Sequence, residues 1–239
     1  MNARALRYAG PTILVAAALV ALLAALAFGG GAAPLLAGDP GPVVRWGLPI
    51  VKLLFNLTAA GMVGSLLLAV FALKPGERAF DVALDTASIS AALFTLASAA
   101  TGFLTFVNVV GASPSPDAVF GQQLGRFLVE VELGRAWLMT TIAGAILTVL
   151  TFAVRTWTPT LLVAILAVAA VVPSATQGHS GEEANHNIAV MALVLHVIGA
   201  AVWLGGLLLL IVVRPLLKPG ELADVLRRYS SVALVAFVV

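Results

Sequence analysis

The chain alternates between long apolar runs and short polar stretches. A helix needs about 20 apolar residues to cross the roughly 30 Å hydrocarbon core of a bilayer. Seven apolar runs suggest such helices, and they lie near residues 12–28, 48–73, 82–110, 136–154, 160–175, 187–213 and from 230 onward. The pattern therefore predicts an all-α protein, a polytopic transmembrane bundle of about seven antiparallel helices. Because the last run is still apolar where the sequence stops, we expect a fragment of a longer protein.

Small and weakly polar residues recur at helical spacing inside two of these runs. Asn56, Ala60 and Gly64 follow one another at intervals of four, and a similar stripe runs from residue 91 to residue 105. Small residues let helix backbones approach closely in membranes, and hydroxyls can bond across helices. We interpret both stripes as packing surfaces. Residues 120–133 instead alternate polar and apolar positions, which predicts an amphipathic segment along the membrane interface.

The composition agrees with a membrane protein and limits the chemistry. Hydrophobic residues make up 61% of the chain and charged residues 10%, which is too apolar for a soluble domain of this size. The net charge of +2 gives no reason to expect a nucleic-acid partner. The chain has no cysteine, which excludes disulfides and thiolate metal sites. A transition metal would need histidine, methionine, carboxylate or backbone oxygen.

The basic residues predict the orientation in the membrane. Cytoplasmic loops of membrane proteins carry an excess of lysine and arginine. With the N-terminus in the cytoplasm, the outer side receives only Arg45, Lys52, Arg126 and Arg135. The cytoplasmic side then holds Arg4, Arg7, Lys74, Arg78, Arg155, Arg214, Lys218, Arg227 and Arg228. We therefore expect a multi-pass protein of the cytoplasmic membrane, with the loop before the sixth run facing outward.

All three histidines lie in or next to that outward loop and the run that follows it. His179 and His186 belong to the loop or its edge, and His196 lies about 15 Å beyond His186 if the segment is helical. An ionisable group at such depth is costly and usually functional, although a histidine can also simply bond a neighbouring helix. Trp203 follows seven residues later on nearly the same helix face.

Several side chains near the histidines could bind a metal ion. Imidazole suits copper, nickel and zinc, so His179 and His186 could converge on one ion. Other side chains could add oxygen or thioether ligands, or could simply keep the loop soluble and fill the core: Glu182, Glu183, Met62, Met139 and Met191. We expect a weak entry site at the loop histidines and a deeper site at His196.

We also expect His196 to lie in a cavity of the bundle, and we expect this cavity to have a floor. Trp203 would form it on the cytoplasmic side, and Gly199 and Gly206 would leave room for the bulky ring. A dry apolar shell of this kind controls solvent access to a bound metal.

The C-terminal motifs resemble a known family. The stretch GHS, then LHVIGAAVWLGGLLLL and RRYSSVALVAF, is similar to the copper resistance D family of bacterial inner-membrane proteins, and ELGRAWL at residues 132–138 resembles a segment before an earlier helix of that family. The resemblance is good from about residue 178 onward and weaker over residues 1–130. It divides the single bundle into helices 1–3 with outer loops, residues 1–135, and copper resistance D-like helices 4–7, residues 136–239.

The resemblance implies that the protein moves copper across the membrane or confers copper resistance, with His196 as the intramembrane histidine. It also implies the N-terminal part of an actinobacterial fusion with a cytochrome oxidase assembly domain. Expected partners are the bilayer, copper ions, and an extracytoplasmic copper-binding protein or cytochrome oxidase assembly factors. The sequence has no phosphate-binding GxxxxGK[ST] and no DKTG, so movement would be passive or driven by another gradient.

Two other functions remain open from the residues. A haem-binding electron-transfer protein would need a second axial ligand, which Met62 or Met139 could supply to pair with His196. A scaffold for cytochrome oxidase assembly would need no metal site at all. We do not expect an enzyme, because no nucleophile and base occur together and HExxH is absent.

Overall fold

A computed structural model describes residues 3–111, 114–175 and 186–238, with side chains for residues 8–111, 114–173 and 190–238. Within these residues the structure contains α-helices, one 3-10 turn at Arg214–Leu216 and no strand. The helices are α1 (Ala3–Phe28), α2 (Pro42–Phe71), α3 (Arg78–Val110), α4 (Ala118–Glu130), α5 (Glu132–Ala153), α6 (Trp157–Ala175), α7 (His186–Val213) and α8 (Pro219–Val238). The predicted all-α helix bundle is confirmed.

Five of the helices are long and apolar enough to cross a membrane. They contain the spans Tyr8–Phe28, Pro42–Phe71, Arg78–Val110, Glu132–Ala153 and Val190–Leu216, and α6 adds the shorter apolar segment Trp157–Pro173. The predicted seventh apolar run forms only the second half of α8. That helix begins at Pro219 because the polar stretch before the run is helical as well. The amphipathic stretch predicted at residues 120–133 contains most of α4, which ends at Glu130.

Local sequence signals set several helix ends. Gly41 has a φ of 85°, which favours glycine, and Pro42 then begins α2 at a position where a missing N–H costs nothing. Asp39 accepts hydrogen bonds from the Gly41 N–H and the Arg45 side chain, and both lower the pKa of its carboxyl. At the other end of α3, Gly111 adopts the left-handed conformation with φ 67°, a common way to end a helix.

Helix α2 lies at the centre of the bundle and packs against α3, α6 and α7. Its Phe55 ring stacks on Phe94 of α3 at 4.9 Å and meets Trp137 of α5 edge-on at 5.3 Å. In addition, the Thr95 and Thr148 hydroxyls lie 3.2 Å apart between α3 and α5. The predicted use of small and hydroxyl residues for close helix packing is therefore seen in this core.

The two ends of the bundle have different contacts. At one end Arg155 pairs with Asp85 at 3.1 Å, and the Trp157 indole N–H donates to the Val70 carbonyl at 3.1 Å. We call this the Arg155 end. At the other, Phe127 of α4 forms a separate apolar cluster with residues of α2 and α3, namely Val44, Phe106 and Val107. We call this the α4 end.

Candidate functional site

Helices α2 and α7 touch through glycines rather than side chains. A Cβ added to Gly64 would collide with the Gly205 backbone, and one added to Gly205 would collide with the Ala60 carbonyl. Gly206 takes part in the same contact from its own backbone. The two backbones therefore pack against each other with no room for a side chain between them, which positions α7 against the centre of the bundle.

Toward the α4 end of this contact a cavity separates the two helices. It measures about 360 Å³ and is lined by residues 53–60 of α2, by Val171 of α6 and by the part of α7 that begins at His196. We call it the α2-side cavity. Among the described residues that line it, His196 and Asn56 have hydrogen-bonding side chains, and both are exposed.

A second cavity lies on the other flank of α7, against α8. It measures about 440 Å³ and is lined by His196, Gly199, Ala200 and Trp203, together with residues 236–238 of α8. We call it the α8-side cavity. Among the described residues, His196 and Ala200 line both cavities. An ion that bound this imidazole could be reached from either flank of α7.

Helix α8 packs against α7 at two glycines of α7. A Cβ on Gly199 would lie 2.5 Å from the Ala236 carbonyl, and a Cβ on Gly206 would lie 2.6 Å from the Tyr229 ring. The Tyr229 hydroxyl donates to the Trp203 carbonyl at 2.7 Å. Both glycines therefore make room for α8, whereas the sequence suggested room for the Trp203 ring. Gly199 also lines the α8-side cavity.

The remaining predicted site residues lie apart from these cavities or outside the described part of the chain. His179, Glu182 and Glu183 fall in the range 176–185, which the structure does not describe. His186 is the first residue of α7, and its side chain is also outside the described set.

The three methionines considered as ligands do not meet at His196. Met62 is fully buried in α2, while Met139 is 65% exposed on α5 and Met191 is 59% exposed on α7. None of them lines either cavity. In the described part of the chain, no three His, Asp or Glu residues group together as a metal site.

Asn56 is the residue that sequence analysis assigned to packing alone. Its spacing from Ala60 and Gly64 is that of a packing stripe, and the other two members do pack against α7. The overlooked signal was chemical, because a carboxamide in the middle of an apolar helix is expensive unless it has a polar partner. The structure places Asn56 in the α2-side cavity with His196.

Comparison with known proteins gives the family. The family model described as copper resistance protein D-like, N-terminal domain, matches residues 39–187, more than half of the chain. The chain belongs to this family. No curated protein and no solved structure that we compared with it matches.

The match confirms the predicted family, but over a different part of the chain. The motifs that suggested it lie mainly beyond residue 178, whereas the family model matches α2 to α6, where we found few specific motifs. His179 and His186 fall inside the matched range, and His196 lies outside it. The protein is thus a multi-pass membrane protein related to copper resistance.

Proposed function

We propose that this protein carries copper across the cytoplasmic membrane by way of His196. The observation that supports this most strongly is the place of His196 between the α2-side and α8-side cavities, on a membrane-spanning helix. An ionisable side chain at such a place is kept for function as a rule. Imidazole is a good ligand for copper, and the family is one of copper resistance.

His179 and His186 form the entry site in this proposal. His186 begins α7, so its Cα lies about 15 Å along the helix axis from that of His196. With the N-terminus in the cytoplasm, as the basic residues indicate, an ion captured from outside meets the loop histidines first. Conduction needs sites that bind firmly enough to capture an ion and weakly enough to release it. A weak outer site followed by His196 meets that need.

The haem alternative is less well supported. It needs a second axial ligand beside His196, and neither Met62 nor Met139 lines a cavity with His196 in the described structure. An absorption spectrum of the purified protein tests it directly. Stoichiometric copper without a Soret band agrees with copper transport, while a Soret band supports haem binding. A protein that serves only as a scaffold for oxidase assembly would bind neither copper nor haem.

Copper flux into liposomes tests the proposal. The purified protein is reconstituted, copper is added outside, and the metal inside is counted by mass spectrometry over time. We expect His196→Ala to abolish passage and His179→Ala or His186→Ala to reduce it partially. Leu207→Ala is the matched control, because Leu207 is an exposed α7 residue that lines neither cavity.

Two results would count against the proposal. If the His196→Ala protein passes copper at the wild-type rate, the central site is wrong. If all three histidine variants show equal, small reductions, the order of an outer and a deeper site is wrong.

A further inference from the structure

Asn56 and His196 face the same cavity from two different helices. Both line the α2-side cavity and both are exposed. Apart from them, the described side chains that line it are aliphatic or aromatic: three leucines, one phenylalanine, four alanines and two valines. A ligand that needs polar contacts in this cavity would therefore find them at these two residues.

The register of the helices brings the two residues to similar depths. Residues 53–60 of α2 share one cavity with residues 196–204 of α7, while residues further along both helices share another. Both helices therefore run in the same direction. Counting back eight residues from the Gly64–Gly205 contact leads to Asn56 on α2 and to Val197, next to His196, on α7. Since both helices rise by 1.5 Å per residue, this register places Asn56 within about one helical turn of the level of His196.

Neither side chain is engaged elsewhere in the structure. In the described part of the chain, no side-chain hydrogen bond or ion pair occupies Asn56 or His196. Most hydroxyl side chains of the bundle, by contrast, bond a carbonyl of their own helix, as Thr58 does with Leu54 at 2.7 Å. The carboxamide oxygen and an imidazole nitrogen are thus both available to a ligand between them.

The chemistry of these donors discriminates between the two oxidation states of copper. Thioether and thiolate ligands select Cu(I), while nitrogen and oxygen ligands in tetragonal geometry suit Cu(II). The chain has no cysteine, and none of its described methionine side chains lines the α2-side cavity. The cavity therefore offers one imidazole nitrogen and one carboxamide oxygen, with space for water to complete the coordination.

We infer that Asn56 is the second protein ligand of the His196 site, and that this pair makes Cu(II) the form of copper bound there. The inference rests on the proposed copper function and adds to it a ligand and an oxidation state. The carboxamide oxygen and the imidazole nitrogen bind the ion from opposite walls of the α2-side cavity. Loss of the oxygen leaves the ion with one protein ligand.

Metal binding to the purified protein in nanodiscs tests this inference. Cu(II) is added and followed by electron paramagnetic resonance, and Cu(I) is measured separately by competition with bicinchoninate. To isolate the inner site, every variant is made in a background with His179→Ala and His186→Ala. We expect a Cu(II) signal with coupling to one imidazole nitrogen, and Cu(II) affinity above that for Cu(I).

Two substitutions at Asn56 and one at a control position, Asn108, give the deciding comparison. Asn56→Leu should weaken Cu(II) binding by about tenfold or more. Asn56→Asp keeps the oxygen and adds charge, so this variant should bind Cu(II) at least as tightly as the wild type. Its binding would also show that the protein still folds when residue 56 is changed. Asn108→Leu removes a carboxamide from an exposed position of α3 outside the cavity and should change nothing.

The outcomes separate this inference from the proposed function. If Asn56→Leu binds Cu(II) as tightly as the wild type, or if Cu(I) binds more tightly than Cu(II), the inference is wrong while copper transport through His196 can stand. If His196→Ala leaves both copper binding and copper flux unchanged, the proposed function itself fails. A well-folded Asn56→Asp protein that has lost Cu(II) binding also overturns the inference.

Discussion

At the scale of single residues, Trp203 and Tyr229 meet through a backbone carbonyl and not through their rings. The Tyr229 hydroxyl donates to the Trp203 carbonyl at 2.7 Å, and Gly206 leaves space for the tyrosine ring. The indole itself is 54% exposed and lines the α8-side cavity with His196. The backbone of Trp203 therefore contacts α8, while its side chain lines the α8-side cavity. Separate substitutions can test these two features.

Tyr229→Phe tests the first role. The change removes the hydroxyl and keeps the ring, so α8 should dock less firmly and the protein should lose about 1 kcal/mol of stability. Thermal unfolding in detergent measures the loss. Tyr8→Phe is the matched control, since Tyr8 is an exposed residue of α1 and its hydroxyl bonds no other group in the described structure. Equal unfolding temperatures for the two variants would show that the bond adds nothing.

Trp203→Ala tests the second role. We propose that the indole limits access of water to His196, so its removal should let protons leak across liposomes while copper binding at His196 is largely kept. The Tyr229 bond should survive, because its acceptor is the Trp203 backbone carbonyl. Proton flux is measured on protein shown to be folded. A lower stability with an unchanged proton barrier would mean that Trp203 only packs.

At the scale of helices, the contact between α2 and α7 positions the candidate site. Gly64 and Gly205 bring the two backbones together, and the α2-side cavity begins where the helices diverge toward His196. A larger residue at the contact would push α7 outward and change the separation between Asn56 and His196. Gly64 and Gly205 therefore influence the separation between Asn56 and His196 from about two helical turns away.

Gly64→Ala should destabilise the bundle by about 1–3 kcal/mol, because its Cβ would meet backbone atoms that cannot move aside as a side chain could. Copper binding should weaken as well, since α7 is displaced. Gly121→Ala is the control. It lies in α4 with nothing near its added Cβ, and alanine favours a helix over glycine by about 1 kcal/mol. Chemical unfolding of both variants provides the measurement, and equal stability would contradict the contact.

The sequence predicted where the apolar helices lie, but it did not predict the start of α8 or the position of Asn56 at a cavity. Hydrophobic runs located α2, α3, α5 and α7, because a helix that crosses a membrane needs about 20 predominantly apolar residues in a row. The hydrophobic pattern did not locate the start of α8 at Pro219, since a polar helical stretch gives no hydrophobic signal. The position of Asn56 at the α2-side cavity was missed for a different reason. Its cavity combines segments more than a hundred residues apart, and spacing along one helix carries no information about that.

At the scale of the whole molecule, the two ends of the bundle differ in their chemistry. The Arg155 end has the Arg155–Asp85 ion pair and the paired charges of α8, including Arg227 with Asp224 at 3.5 Å. The α4 end has the Arg45–Asp39 ion pair and an aromatic cluster in which Phe127 of the amphipathic helix α4 packs against Phe106 of α3. The predicted placement of the Arg155 end in the cytoplasm comes from the distribution of basic residues along the sequence. In the proposed function, the direction in which copper meets the histidines depends on this placement.

Labelling of single cysteines can establish the orientation, because the chain has none of its own. Gly121→Cys places a thiol on α4, and Gly220→Cys places one at the start of α8, both at positions where an added Cβ touches nothing. With a membrane-impermeant maleimide on intact cells, we expect Gly121→Cys to react at once and Gly220→Cys to react only after the membrane is opened. Ser180→Cys, between the loop histidines, should react like Gly121→Cys. The reverse pattern would put these histidines in the cytoplasm and make them an exit site for copper instead of an entry site.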